Sequence, residues 1–508
     1  MFVRKKQNKT GSVSIQIIDK SNGYKVVKTI GCSKNQNTIR QLVKKAQQTI
    51  RTCDGKQSEL FSFRDKDTTI IENFLNDLSN AQIHTVGPEL IFGTLFNRIG
   101  FNVIKEELFR HIVITRLVFP ASKLKTVDYL YRYQGKTIKS DAVYRFLDKL
   151  CDNYKDVVEK VSFKYTERTL KNISVVFYDM TTLYFEAEDE DDLRKIGFSK
   201  DGKFQKPQIM LGLLVGQHGY PIGYDIFEGN TFEGHTLLPI LEKIQKKYNF
   251  SNPVVVADAA LLSKKNIENL SHKKYPFIIG ARIKNESDEV KREILKLANG
   301  IKDGENFVIT KTDGTRLVVT HSNKRQKKDL YNREKGLVKL RQKIKSGRLT
   351  KESINNRGYN KFLILDGKIK VEIDKNKIRS DGLWDGLKGY ITNTQLSAKN
   401  IVENYHHLWQ IEKAFRISKT DLRIRPIHHY KRKRIEAHIC IAFVAYTIYK
   451  ELERLLYKYG AEFSVARATE LTHNMYEIEF QPPDSIESRK IMLKLDKQQQ
   501  ALYNFVCG

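Results

Sequence analysis

The segment Lys171–Glu186, KNISVVFYDMTTLYFE, contains an apolar run that ends in an acidic residue. Ile173–Tyr178 is rich in β-branched and aromatic side chains, which is typical of a central strand covered on both faces. Asp179 follows directly, either as a turn cap or as a functional carboxylate, because aspartate is disfavoured inside strands and costly to bury unpaired. A second apolar run, Pro253–Ala257 (PVVVA), ends in the same way at Asp258. If these strands are neighbours, the two carboxylates lie side by side, which suits metal binding.

The elements between these two strands predict how the strands pair. Gln208–Val215 and Pro221–Phe227 read as strands joined by a short turn, so they form antiparallel neighbours of the first strand. An amphipathic helix, Thr236–Tyr248, precedes the strand that ends at Asp258 and lets that strand run parallel to the first. A further helix and the strand Phe277–Ala281 follow. This β-β-β-α-β-α-β order predicts an α/β protein with a ribonuclease-H-like mixed sheet flanked by helices.

Changes in periodicity and charge along the 508 residues predict several regions, since a chain of this length holds about two to four domains. We expect an N-terminal β-hairpin unit, a helical DNA-binding region, and a catalytic core interrupted by an inserted α+β domain that is β-rich and basic. A C-terminal helical region is a candidate for dimerisation. A solvated helical bundle is the alternative for the second region. The predicted boundaries are 1–60, 61–170, 171–284, 285–385, 386–450 and 451–508.

The charge of the chain predicts a polyanionic partner. Lys and Arg number 89 against 59 Asp and Glu, a formal net charge of +30, which favours a nucleic acid first and an anionic membrane surface second. No apolar run approaches the roughly 20 residues of a membrane span, and the N-terminus lacks the apolar core of a secretory signal. Five cysteines without a CxxC pair argue against structural zinc and a disulfide framework. We therefore expect a cytoplasmic protein with no membrane partner.

A third acidic residue is predicted on a helix that follows the sheet. Ser397 is expected to cap one long helix that extends to Arg416. Glu412 borders the apolar face of this helix, which is formed by Leu408, Ile411 and Phe415. Tyr405 and Lys419 are each seven residues from Glu412, so these side chains lie near one side of the helix. A glutamate on a helix is usually just solvated, but its basic and aromatic neighbours favour a functional role.

Taken together, these features resemble the DDE transposases of bacterial insertion sequences, in particular the insertion-sequence-four group and its relatives. That group has a β-rich insert before its glutamate and the signature Tyr, two residues, Arg, three residues, Glu, six residues, Lys. The positions that match are Tyr405, Glu412 and Lys419. Leu408 replaces the arginine, whose phosphate contact Arg416 or Lys413 would take over. Further segments similar to the family are YDMTTLYFE (178–186), GFSKDG (197–202), PQIMLGLLV (207–215), FEGNT (227–231) and VVADAALLS (255–263).

The resemblance implies an enzyme that binds the terminal inverted repeats of its element, cleaves double-stranded DNA and joins the freed 3′-OH to target DNA. It implies two-metal phosphoryl transfer with Mg²⁺, or Mn²⁺ as the alternative ion, and a homodimer on DNA in the bacterial nucleoid. The implied catalytic residues and metal ligands are Asp179, Asp258 and Glu412. The implied DNA-binding residues are Tyr405, Arg416, Lys419, Lys413 and Trp384.

Trp384 has two interpretations. Relatives that pass through a DNA hairpin stack an aromatic residue of the insert on a base turned out of the duplex. The alternative is that Trp384, one of two tryptophans, packs the insert onto the core, since most tryptophans are largely buried.

Three other classes of protein fit these sequence features less well than a transposase does. A different ribonuclease-H-like nuclease, such as a junction resolvase, would lack the insert and the Tyr–Glu–Lys helix. A non-catalytic DNA-binding regulator would not need all three carboxylates. A tyrosine nuclease needs metal-binding histidines separated by one residue, whereas His406 and His407, like His428 and His429, are adjacent and diverge on a helix. His438 and Cys440, in an apolar helix, are predicted to be core residues.

Overall fold

The computed structural model describes residues 1–21, 23–53, 79, 82–248, 252–261, 263–346, 358–366, 370–481 and 487–508. The chain forms two compact units, one from Met1–Ile83 with Ile478–Lys490 and one from His84–Glu477 with Ile491–Gly508. The predicted boundary between residues 60 and 61 lies outside the described residues.

The first unit contains a three-stranded antiparallel sheet and a helix. Its elements are β1 (Phe2–Gln7), β2 (Val13–Asp19), β3 (Lys25–Ser33) and α1 (Gln36–Cys53). β2 is the middle strand, and its alternate residues Ile15 and Ile17 are buried against Ile39 and Ala46 of α1. The buried alternate residues of β2 therefore pack against the apolar face of α1. The described part of residues 1–60 therefore has one strand more than the predicted hairpin.

The second unit is built on an eight-stranded mixed sheet in the order β10-β11-β14-β9-β8-β5-β6-β7. The strands that follow the first unit's sheet are β4 (Ile83–Thr85), β5 (Val175–Tyr184), β6 (Gln208–Val215), β7 (Pro221–Glu228), β8 (Val254–Ala257), β9 (Phe277–Ala281), β10 (Asn306–Thr310), β11 (Arg316–His321), β12 (Leu363–Asp366), β13 (Lys370–Ile373), β14 (Leu387–Thr392), β15 (Tyr476–Phe480) and β16 (Arg489–Met492). The predicted α/β fold, a large mixed sheet flanked by helices, is confirmed.

Helices pack on both faces of this sheet. The helices that follow α1 in the described residues are α2 (Thr94–Ile99), α3 (Glu107–Val118), α4 (Lys123–Gln134), α5 (Ser140–Lys149), α6 (Lys155–Leu170), α7 (Leu237–Tyr248), α8 (Lys264–His272), α9 (Asp288–Leu297), α10 (Asn323–Lys345), α11 (Lys375–Gly382), α12 (Ala398–His406), α13 (Trp409–Arg416), α14 (Arg432–Lys458), α15 (Val465–His473) and α16 (Lys497–Cys507). No helix of the described residues is long and apolar enough to cross a bilayer.

α14 is the central helix of the larger hydrophobic core. Most of its residues are buried, and it packs on α3, α5 and α6 as well as on β7. The helices of residues 94–170 therefore share one core with the sheet. They differ in this respect from the separate DNA-binding region predicted for 61–170, because their apolar faces are completed by a helix that lies nearly 300 residues further along the chain.

The strands that lead to the two aspartates, β5 and β8, pair in parallel. Tyr178 of β5 lies opposite Ala257 of β8, so the next residues, Asp179 and Asp258, emerge at the same level of the sheet. Both strands are apolar on both faces because helices cover the sheet on each side.

The predicted insert, 285–385, is only partly a separate body. β10 and β11 extend the central sheet, since β11 pairs antiparallel with β14 along Arg316–His321. Leu317, Val318 and Val319 are completely buried, as in a central strand. The rest of the described insert, α10 with β12, β13 and α11, has a small core of its own.

The chain after residue 451 also differs from the helical region predicted there. It contains the end of α14, then α15, β15, β16 and α16, so helices and strands are mixed. α16 begins at a capping box in which Asp496 and Gln499 bond reciprocally.

Candidate active site

Asp179 and Asp258 define the centre of the candidate site. The Asp179 Oδ1 accepts a hydrogen bond from the Met180 N–H at 2.7 Å, and the Asp258 Oδ1 accepts one from the Ala259 N–H at 2.7 Å. Burial raises the pKa of Asp179 to about 6, and the Glu233 and Asp258 carboxylates add to the rise, while the Lys200 ammonium opposes it. Asp258 itself is exposed. The carboxylates of Asp179 and Asp258 thus lie together where the pairing of β5 with β8 ends, and the Asp258 side of this edge of the sheet is exposed to solvent.

Tyr405 connects α12 to this edge. Its hydroxyl donates a hydrogen bond to the Asp258 Oδ1 at 3.0 Å, and its ring lies 4.8 Å from the ring of Tyr390. Gly280 of β9 makes room for it, because a Cβ there would lie 2.5 Å from the Tyr405 oxygen. Burial and the Asp258 and Glu412 carboxylates raise the pKa of Tyr405, so the hydroxyl stays protonated as a donor.

Glu412 lies on a helix that is interrupted before it. Instead of one helix from Ser397 to Arg416, the chain forms α12, a turn, and α13. The N–H of Leu408 bonds to the carbonyl of Tyr405 at 3.0 Å, a tight i→i+3 contact that ends the α-helical ladder. Ser397 does cap α12, as predicted, by accepting from the Asn400 N–H. Glu412 remains exposed, and its charge acts on the pKa of Tyr405 together with that of Asp258.

α13 is fixed to the sheet by polar contacts to one turn. The Gln410 side chain of α13 accepts from the Gly219 N–H at 3.0 Å, and the Tyr446 hydroxyl of the neighbouring helix α14 donates to the Gly219 carbonyl of the same turn at 2.6 Å. Leu408, the residue in place of the expected arginine, is buried in the larger core. It therefore contributes no polar group to the site.

Lys200 and Glu233 belong to the site although the sequence interpretation did not select them. The Lys200 Nζ lies 2.8 Å from the Glu233 Oε1 and 3.7 Å from the Asp179 Oδ1, and it donates to the Met180 carbonyl at 2.6 Å. Lys200 lies within GFSKDG, a segment noted only for its family likeness, and Glu233 lies two residues after FEGNT. The Lys200 ammonium thus partly neutralises the carboxylates of Asp179 and Glu233, at the place where a metal cation would bind.

A cavity of about 600 Å³ leads from Asp258 toward the insert. Lys388, Arg325 and Trp384 line it, and the Lys388 Nζ lies 4.3 Å from the centre of the Tyr405 ring. Burial and the Arg325 charge lower the pKa of Lys388, while Asp258 and Glu412 oppose this. Trp384 also packs partly buried against the smaller core of the sheet, so its position is compatible with both predicted roles.

The other residues predicted to bind DNA differ in exposure and in whether they already form an ion pair. Lys419 is partly buried and lies 3.1 Å from the Asp201 Oδ1, whereas Arg416 is exposed. Lys413 forms an ion pair with Glu453 of α14. Arg416 is therefore better placed than Lys413 to meet a phosphate.

The oxygen donors at this edge fit a hard divalent cation. Asp179 and Asp258 supply adjacent carboxylates, the ligand type that Mg²⁺ prefers, and the Lys200 ammonium lies 3.7 Å from the Asp179 Oδ1. Among the described residues, no three His, Cys, Asp or Glu side chains lie close enough together to hold a metal. The described arrangement therefore offers two carboxylates that would hold such a cation, and Glu412 is exposed on α13.

Comparisons with known proteins identify one family and two structures to which the chain is similar. The sequence profile described as "Transposase DDE domain" matches residues 170–448, more than half of the 508 residues. The cryo-EM structure of the piggyBac transposase synaptic complex with hairpin DNA is similar with a TM-score of 0.40 and 10% identity, over 76% of this chain and 76% of that chain. The Mos1 transposase paired-end complex with left transposon end gives a TM-score of 0.16 and 10% identity, over 36% of this chain and 57% of that chain. No curated protein matches.

Proposed function

Because the chain belongs to the transposase DDE domain family, we propose that it cleaves DNA at the ends of its element and joins the freed 3′-OH to target DNA. The single observation that carries this proposal is the adjacent pair Asp179 and Asp258, which follow the last paired residues of the parallel strands β5 and β8 within the matched region. Asp179 lies inside β5, which continues to Tyr184, and Asp258 directly follows β8. We further propose that it belongs with the bacterial insertion-sequence-four group, acts as a homodimer on DNA, and works at the nucleoid.

The catalytic core is proposed to be ribonuclease-H-like. The spatial order β7-β6-β5-β8-β9 supports this. β5, β6 and β7 are antiparallel neighbours, whereas β8 and β9 run parallel to β5. We assign residues 171–284 and 386–450 to this core, with the insert between them.

Each residue of the site has a proposed task. Asp179, Asp258 and Glu412 would hold two Mg²⁺ ions, which supply activation of the attacking oxygen and stabilisation of the leaving oxygen. Tyr405 orients Asp258 through its hydrogen bond. Lys388, together with Arg416, presents positive charge to the phosphates on either side of the cut, contacts that set register rather than read sequence.

Trp384 and Lys419 complete the proposed DNA contacts. Trp384 lines the cavity that begins at Asp258, and an aromatic side chain there can stack on an unpaired base. Lys419 reaches a phosphate only by giving up its ion pair with Asp201, so its role depends on DNA displacing that contact.

The first unit is proposed to bind the element's ends, because α1 has an exposed basic face. Replacing Arg40, Lys44 and Lys45 with Gln is expected to weaken binding to the terminal repeat, and to reduce the slope of log K against log salt by up to about 0.9 per lost phosphate contact. Fluorescence anisotropy of the full chain over a salt series measures this.

The matched control replaces three exposed basic residues of the insert helix α10, Lys324, Lys327 and Lys328. Equal losses of affinity in both triple variants would show that the effect comes from the general positive charge of the protein and not from a contact made by α1. An unchanged affinity in the α1 variant would exclude end binding by this face, and equal binding to scrambled DNA of the same length would exclude sequence recognition.

A further inference from the structure

A second cavity, of about 570 Å³, lies away from the carboxylates and is strongly basic. It is lined by the N-terminus of α4, the start of α14 and the segment Arg423–Lys431. Lys123 and Arg116 are among its lining residues and are each only 5% exposed. The rim carries exposed apolar side chains, Leu124 and Tyr430, so the cavity opens to solvent.

Lys123 is buried without a partner in the described part of the chain. Its Nζ has no hydrogen-bond acceptor among the described residues, and burial together with the Arg116 guanidinium holds the pKa of Lys123 well below its usual range. Arg116 itself bonds to two backbone carbonyls, of Leu422 and Arg423, at 3.4 and 3.5 Å. The His438 ring bonds to the Ile424 carbonyl through Nε2, while its buried Nδ1 has no partner within the ranges that the structure describes. Buried polar groups of this kind are costly unless a ligand satisfies them.

The lining of the cavity includes no Asp or Glu, and all of its residues belong to the described part of the chain. The nearby carboxylates are already engaged. Asp148 binds Arg434 with two bonds of 2.9 Å, and Asp201 lies 2.5 Å from Arg425. The positive charge of Arg116 and Lys123 therefore has no counter-ion from these side chains.

We propose that this cavity binds a phosphoryl group, with Lys123, Arg116 and the N-terminus of α4 as its ligands. The chemistry is that of an anion site, since guanidinium and ammonium donors meet the positive end of a helix dipole. A phosphoryl oxygen would give the Lys123 ammonium the acceptor that it lacks.

The position of the cavity favours a DNA backbone phosphate over a free phosphate, and this part rests on the proposed function. The segment that lines it is joined to the strand of Asp179, because the Ile427 N–H bonds to the Tyr184 carbonyl at 3.1 Å. Tyr184 is five residues beyond Asp179 on β5, a distance of about 16 Å at the rise of a strand. A duplex cut at Asp179 could place a phosphate several nucleotides from the cut at this cavity.

The phosphate arm of the test needs no DNA. Thermal unfolding of the full chain is compared in sodium phosphate and in sodium chloride of equal ionic strength. Wild type is expected to gain about 2–4 °C in phosphate, and Lys123→Met is expected to gain none. The matched control, Lys125→Met, removes an exposed lysine of the same helix and should respond like wild type.

If Lys123 served only to stabilise the fold, its replacement would destabilise the protein in chloride. The proposal predicts the opposite result. In chloride, Lys123→Met should be at least as stable as wild type, because the lysine that it replaces has no partner. Lys123→Gln repeats the comparison with a polar side chain if the methionine variant does not fold. Equal shifts in all variants, or no shift in any, would overturn the proposal.

The DNA arm identifies the source of the phosphoryl group. If it is the DNA backbone, Lys123→Met reduces the salt slope of duplex binding by about 1 relative to Lys125→Met. An unchanged slope, together with the phosphate shift, assigns the cavity to a free phosphate. Failure of the proposed transposase activity would leave the phosphate arm unaffected.

Discussion

Strand cleavage is expected to fall by more than about 100-fold when Asp179 or Asp258 is replaced with Asn or Glu412 with Gln. Each change keeps the size of the side chain and removes a charged oxygen ligand, and even the loss of an outer partner of a metal site costs about 10–100-fold. Binding to the terminal repeat should stay within about twofold of wild type, since these residues do not supply positive charge to the backbone. A gel assay of cleavage and an anisotropy assay of binding on the same DNA measure the two effects.

Matched variants separate this effect from general damage. Asp225→Asn removes a carboxylate of the same sheet that pairs with Lys243 at 3.0 Å, and Glu403→Gln changes an exposed glutamate of α12. Both should cleave at nearly the wild-type rate. Near-normal cleavage by Glu412→Gln would remove Glu412 from the site, even if both aspartates proved essential.

Removing the Lys200 ammonium is expected to strengthen Mn²⁺ binding to the DNA-free protein by at least about tenfold. Two unit charges about 4 Å apart interact by about 4 kcal/mol at an effective dielectric of 20, and about a third of that corresponds to a tenfold change in affinity. Lys200→Met leaves Asp179 and Glu233 without the cation that now neutralises them. Isothermal titration calorimetry gives the affinity directly.

The control for this variant is Lys243→Met, which removes a lysine paired with a carboxylate outside the site. It should bind Mn²⁺ as wild type does. Weaker binding in Lys200→Met would show that Lys200 helps to organise the ligands rather than competing with the cation.

Local pattern was sufficient to predict the strands that carry the aspartates. The runs before Asp179 and Asp258 are apolar on both faces, and the intervening helix requires a parallel crossover, so the parallel pairing of their strands could be anticipated. The prediction that the first strand ends at Tyr178 is wrong, because β5 continues through Asp179 to Tyr184 in its pairing with β6. The mixed sheet with flanking helices follows from the same alternation of strands and helices.

Features that depend on distant partners were not predictable in this way. The hairpin of β10 and β11 was assigned to the insert, because nothing in its own residues shows that β14 completes its pairing. The helices of residues 94–170 looked independent, because their partner α14 is remote in sequence. The interruption at His407–Leu408 breaks no periodicity rule, since the apolar spacing continues through it.

The missed site residues have a similar explanation. Lys200 lies in a loop with no regular spacing to either aspartate, and Glu233 follows a turn after β7. Only the folded chain brings their side chains to Asp179. The glycine and turn residues around GFSKDG were the one signal that this loop has a fixed conformation.

The most direct test of the proposed function is cleavage of DNA that carries the element's own terminal repeats by the full-length protein, followed on a sequencing gel. With Mg²⁺, we predict a cut at the end of the repeat that leaves a free 3′-OH, no cut in EDTA, and no specific cut in DNA with scrambled repeats. Cleavage that persists in EDTA, or that occurs equally in scrambled DNA, would contradict a metal-dependent transposase built on Asp179, Asp258 and Glu412.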